Sequence, residues 1–200
     1  MQRTVETSPL LQHRIKEVVP KRMKDISKAI IDRDFDTFAQ ITMNDSNQFH
    51  AVCLDTSPPI FYLNDVSRAV IALVEEINRA SKNAGMGYIA AYTFDAGPNA
   101  VIYALEKNMP IIINLVNRYF PQETDFKDPL GSLKDSSKNE KDGAELTDFN
   151  AGVIREGGWE KGAVKSLIHT RVGDGPRKLG EEESLLGQDG MPKHLARSQW

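Results

Sequence analysis

The stretch from Tyr88 to Leu105 limits the fold of this chain more than any other. Tyr88-Ile89-Ala90-Ala91-Tyr92-Thr93-Phe94 is an apolar run that reads as a buried strand, and Asp95 stops it. Gly97-Pro98-Asn99 then turns the chain, and Ala100 to Leu105 resumes as a second strand. A Gly-Pro pair excludes a helix running through this region, so the two runs are expected to pair as a hairpin. Its mouth carries an acid. A carboxylate at the end of a hydrophobic strand is expected on stiff backbone in low-dielectric surroundings, where desolvation disfavours its charge and a nearby cation restores it. Such a group can act as a general base. It can equally do local work, since an Asp before a Gly-Pro turn often bonds its own downstream backbone. On these residues alone the turn-forming reading is the more economical one.

Around the hairpin, helices come early and strands late. Thr7-Ser8 are N-cap residues ahead of Pro9, so 9–18 is predicted helical. Val19, Met23, Ile26 and Ile30 recur at helical spacing, making 20–31 a second helix or a kinked continuation of the first. Residues 35–54 form a third, whose polar run 44–48 reads as a solvated face, with a cleft-lining face as the alternative. Ser57-Pro58-Pro59 ends it, and the apolar 60–63 is a strand or a lead-in segment. Asn64 is expected to cap the clearest helix, in which Val66, Ala69, Val70, Leu73, Val74 and Ile77 make one continuous core stripe. Gly85 and Gly87 close that unit. Pro110 opens another helix through Tyr119, stopped by Pro121. Residues 125–148 are polar and expected to form a surface excursion, mobile for want of apolar surface. Partial alternation in 164–172 predicts a half-buried strand. The expected organisation is one domain over 1–173, with the polar insert 125–148, and an extended tail over 174–200. The fold class is α+β: a two-layer arrangement of an antiparallel sheet with helices on one face.

Composition narrows the function. A net charge of −3 and no basic patch with interleaved aromatics argue against a nucleic-acid partner. No apolar run approaches the roughly 18 residues of a membrane helix. The single Cys53 cannot form an internal disulfide, sits in an apolar helical context as a small core residue, and suits a reducing cytosol. His13, His50, His169 and His194 show no metal-ligand spacing, so no metal site is expected. His50 reads as a core or capping histidine, with a catalytic role as the alternative, and Asp45 and Asp55 as helix-surface and loop acids or as cleft acids. Glu181-Glu182-Glu183 reads as a solvated charge run.

Four blocks carry a resemblance. They are Val5-Glu6-Thr7-Ser8-Pro9-Leu10; the run from Thr42 to Leu63, including Met43-Asn44-Asp45-Ser46-Asn47 and Phe49-His50-Ala51-Val52-Cys53-Leu54-Asp55-Thr56; Ala90 to Val101; and the pair Val172-Gly173-Asp174-Gly175-Pro176 and Leu185-Leu186-Gly187-Gln188-Asp189-Gly190-Met191-Pro192-Lys193. In that order the chain resembles the diphosphomevalonate decarboxylases of the sugar-, homoserine- and mevalonate-kinase superfamily. The resemblance covers nearly the whole chain but only the carboxy-terminal half of the family pattern. It implies a ferredoxin-like sheet whose first strand lies before Met1, leaving an open sheet edge prone to self-association. Met1 matches the Met that closes the family's short Ser-containing substrate loop, so the chain reads as cut at an internal methionine with Met1 at the pocket rim.

The resemblance implies ATP-dependent decarboxylation of mevalonate 5-diphosphate to isopentenyl diphosphate, in isoprenoid and sterol biosynthesis. By its place in the motif Asp95 matches the catalytic aspartate, with Gly97, Pro98 and Asn99 as supports. ATP and Mg2+ are implied for the full-length enzyme, a cytoplasmic homodimer. No binding site for either is expected in this chain alone, because no glycine-rich phosphate loop stands in it. For the same reason the chain alone is expected to be inactive. The alternative is a non-enzymatic remnant, or a dimerisation or binding module of the same fold, with Asp95 only a turn acid.

Overall fold

The computed structural model describes residues 2–133, 146, 148–155, 157–187 and 190–193. The chain divides into two compact units, 1–169 and 170–200. Among the described residues of the first, six α-helices and two strands follow in the order α1 (Gln2–Thr7), α2 (Pro9–His13), α3 (Val19–Asp32), α4 (Phe35–Asp55), α5 (Asp65–Asn83), β1 (Ala91–Phe94), β2 (Ala100–Tyr103) and α6 (Met109–Tyr119). It is an α+β fold.

The helices start where the side chains allow. Ser8 Oγ accepts from Leu11 N–H and Pro9 supplies the first turn of α2, as the Thr7-Ser8-Pro9 pattern predicts. The axis then runs on through a π-helical turn, Arg14–Val18, into α3, so the kinked continuation is the form taken. Asp34 caps α4 through Thr37 N–H. Asn64 caps α5 in a reciprocal box with Ser67, and the predicted stripe of α5 packs into the core. Pro110 lies in the first turn of α6, as expected. Helix α1 has no counterpart in the sequence reading. It is tied down by side chains at the far end of α4: Thr4 Oγ1 meets Thr56 Oγ1, and Thr7 Oγ1 accepts from Ser57 N–H. Asp55 accepts from Ser8 Oγ at 2.6 Å and from Leu10 N–H, which makes it a structural acid rather than a cleft acid.

The hairpin forms as predicted, antiparallel, with Ala91 opposite Tyr103 and Phe94 opposite Ala100. β1 is shorter than its apolar run. Residues 89 and 90 are extended but bond a side chain instead of a strand: Asn78 Oδ1 accepts from Ile89 and Ala90 N–H, and Asn78 Nδ2 donates to the Ala90 carbonyl. Gly87 is required just before this. Its φ is +71°, and a Cβ there would lie 2.5 Å from the Asp36 carboxylate that accepts from Tyr88 N–H. β1 is buried on both faces, against α4 and α5.

Two expectations are corrected. Residues 164–172 form no strand: a single bridge joins Val164 to Gln122, and Ile168 is exposed, because no neighbouring strand is available to its alternating pattern. Of the two readings of residues 60–63, the lead-in segment is the one taken, without strand pairing. The polar run 44–48 is solvated only in part: Asn44 and Asn47 are exposed, and Asp45 and Gln48 half-buried. Ser46 is buried, and Asp45 and Gln48 hold the guanidiniums of Arg14 and Arg22. Burial pushes the Asp45 carboxyl up, but its bonds to Arg14 and Arg22 outweigh this and hold it below the ordinary range. Of the predicted excursion over 125–148, residues 134–145 and 147 lie outside the described residues. Asp148, at its end, is tied to Arg79 and Asn83 on α5. Leu146 and Ile154 lie in the core.

Among the described residues of the second unit, an antiparallel bridge joins Leu186 to Pro192, Lys193 N–H donates to the Leu185 carbonyl, and Lys193 Nζ donates to the Glu181 carbonyl. Glu181, Glu182 and Glu183 are exposed, as read from the sequence. No helix among the described residues is long and apolar enough to cross a membrane.

Candidate functional site

The hairpin mouth gathers the chemistry. Asp95 follows directly on Phe94, the last residue of β1, which is 3 % exposed. Asp95 itself is exposed, which corrects the expectation of a desolvated carboxylate: the strand is buried to its last residue and the acid lies beyond it. The turn is closed by main chain, Gly97 N–H donating to the Asp95 carbonyl at 2.8 Å. Among the described residues the Asp95 carboxylate accepts no hydrogen bond. The local, turn-forming work that an Asp could do here is done by its own carbonyl.

The mouth is pinned from two sides. On one, the Ser67 hydroxyl shares its proton between Asn64 Oδ1 and the Pro98 carbonyl, at 3.1 and 3.2 Å, tethering the turn to the first turn of α5. On the other, Ser46 Oγ of α4 accepts from Phe94 N–H at 3.0 Å. Asn47, beside it, accepts from the buried Tyr92 hydroxyl at 3.1 Å. Burial pushes the Tyr92 phenol up. Gly97 is half-buried, and a Cβ there would meet nothing within 4 Å, so the space over the turn is open. Pro98 and Asn99 are exposed. Met1 lies outside the described residues, so the expected pocket rim is not among them.

Of the histidines, His13 is exposed, His169 lies 3.4 Å from Asp128, and His194 is outside the described residues. His50 is in the core, on α4, as one sequence reading had it. Cys53, one turn on, is buried and free, its thiol pushed up by burial. No group of three His, Cys, Asp or Glu among the described residues could hold a metal ion. The sequence located Asp95 through the strand-stop and turn pattern. It missed Ser46 and Ser67 as its supports, because a serine in a helix gives no signal of what lies across from it.

The chain and its fold match known proteins. The family pattern for the mevalonate 5-diphosphate decarboxylase C-terminal domain matches residues 1–179. The diphosphomevalonate decarboxylase of Ganoderma lucidum is 60% identical over 193 residues, covering 96% of this chain and 47% of that protein. The diphosphomevalonate decarboxylase of Schizosaccharomyces pombe is 48% identical over 195 residues, covering 98% and 45%. Among solved structures, the mevalonate diphosphate decarboxylase from Trypanosoma brucei matches with a TM-score of 0.73 at 34% identity, over 92% of this chain and 46% of that one. The chain thus spans about half the length of the curated relatives it matches.

Proposed function

Because this chain belongs to the mevalonate 5-diphosphate decarboxylase family, we propose that it supplies the carboxy-terminal half of an ATP-dependent decarboxylation of mevalonate 5-diphosphate to isopentenyl diphosphate. The observation that carries the reading is the Asp95 carboxylate: exposed, unengaged, and fixed at the mouth of a hairpin whose turn is tethered to α5. The tertiary hydroxyl of such a substrate is a poor leaving group and is phosphorylated first. Asp95 holds or accepts the hydroxyl proton in that step. Phosphate loss then leaves positive charge at the same carbon, and the carboxylate departs as carbon dioxide. Gly97 leaves room for substrate over the turn, and Pro98-Asn99 hold its shape.

ATP and Mg2+ serve the phosphoryl transfer. No group of three His, Cys, Asp or Glu stands together among the described residues, and the sequence has no glycine-rich phosphate loop. The groups that hold ATP and Mg2+ belong to the amino-terminal half that the relatives carry. We take β1 and β2 as part of a larger, ferredoxin-like sheet whose first strand comes from that half, and the joined protein as a cytoplasmic homodimer. That β2 pairs with β1 alone among the described residues, leaving its other edge open, supports the larger sheet.

The test joins this chain to the amino-terminal half of the Ganoderma lucidum relative and measures carbon dioxide release from mevalonate 5-diphosphate. The joined protein is expected to turn over, and the 200-residue chain alone is not, since phosphate clamps supply most phosphoryl-transfer catalysis. Asp95→Asn should lower kcat by about 10²- to 10⁴-fold with KM nearly unchanged. Equal rates for variant and parent would return Asp95 to a turn acid. A joined protein without turnover would favour the binding-module reading.

A further inference from the structure

Phe94, the residue that delivers Asp95, is gripped by one face of α4. Ser46 accepts its N–H, and one helical turn later the His50 ring packs edge-to-face on its ring at 6.3 Å. His50 is 9 % exposed and enclosed by Phe49, Tyr62 and Phe94, with ring centroids at 5.2, 6.3 and 6.3 Å. Its Nε2 is buried without a hydrogen-bond partner among the described residues. A phenylalanine would fill the same cage at no such cost, since an unpartnered buried polar atom costs about 1–3 kcal/mol. The nitrogen therefore asks for a reason that packing does not give.

We propose that His50 is a positioning residue for Asp95. Together with Ser46 it clamps Phe94, the last residue of β1 and the one Asp95 follows. The proposal rests on the reading of Asp95 as the reacting anion. Burial pushes the imidazole down, and the Phe94 main chain and the Asp95 carboxylate push it back up. The charged group acting on it is thus Asp95, from the end of β1. Among the described residues Tyr62, from the lead-in segment, packs its ring edge-on to the imidazole, and Cys53, one turn on along α4, is buried with its thiol pushed up.

Two measurements on the 200-residue chain test this. First, the ring resonances of His50 are followed by NMR from acid to neutral pH. The midpoint should lie below the ordinary value of about 6.5 and fall further in Asp95→Asn, which removes the carboxylate that holds it up. The melting temperature of that variant should not change. Identical midpoints in parent and variant overturn the proposal. Second, His50→Phe keeps the aromatic cage and removes the nitrogens. The amide signals of residues 95–97 should shift or split, and His50→Gln should restore a single set. Unchanged signals in His50→Phe would make His50 a core filler and end the proposal. Should His50→Phe fail to fold, the Asp95→Asn comparison decides. Neither readout depends on turnover, so a failure of the enzymatic reading shows only in the decarboxylation assay.

Discussion

Glu76 is the residue on which one buried charge holds most. It is 4 % exposed, takes a two-pronged bond from Arg79 at 2.6 and 2.8 Å, and accepts from Asn150 N–H at 2.5 Å. The bond from Arg79 holds its carboxyl below the ordinary range, against the opposing effect of burial. A depressed carboxylate contributes stability that is full above its unfolded value, about 4.3, and lost as pH falls through the lower folded value. Glu76→Gln should cost about 1–2 kcal/mol at neutral pH and flatten the loss of stability below pH ~4. Urea midpoints taken at neutral and acid pH read this; parallel losses in parent and variant would show that other carboxylates carry the acid response. Nothing in the sequence marks Glu76. An acid and an arginine three apart on a helix look like a surface pair, and the partner Asn150 lies far along the chain. Asp95 was legible because strand, stop and turn are contiguous. Its exposure was not, because a local pattern does not say where the core ends.

At the level of elements, the loop 95–99 and helix α5 form one device. Ser67 serves both, completing the cap with Asn64 and reaching the Pro98 carbonyl. Ser67→Ala should cost about 1 kcal/mol and speed amide exchange at Gly97 and Asn99 more than in the rest of the hairpin. Exchange unchanged over 95–99 would mean that the turn holds itself. Elements with punctuation were read correctly: α5 behind Asn64, α6 behind Pro110, the hairpin around Gly-Pro. Those set by distant partners were not. Helix α1 owes its place to Thr56 and Ser57, beyond the end of α4. The alternation in 164–172 needed a strand beside it and found only the bridge to Gln122. The run 44–48 reads as solvated because polar residues on a helix do so unless a buried strand end and two arginines face them.

For the molecule as a whole, the α+β class was legible from the order of patterns, but the width of the sheet was not: strand pairing is a property of neighbours and not of a run. The amide of Asn78 substitutes for a neighbour at 89 and 90, and this has a consequence in time. The residues it joins lie 11 and 12 apart, so the chain closes a short loop to make three bonds, at small entropic cost. Contacts that cheap form early, whereas those between α1 and the end of α4 span 50 and more residues and come late. Asn78→Ala strands two N–H groups and a carbonyl in the core and should cost about 3 kcal/mol. Most of that loss should fall on the folding arm of a chevron plot, and a Thr4→Ala change should fall on the unfolding arm. If Asn78→Ala speeds unfolding and leaves folding untouched, the order is the reverse. If the order holds, the unit of α5 and β1 is the seed around which the remaining helices assemble.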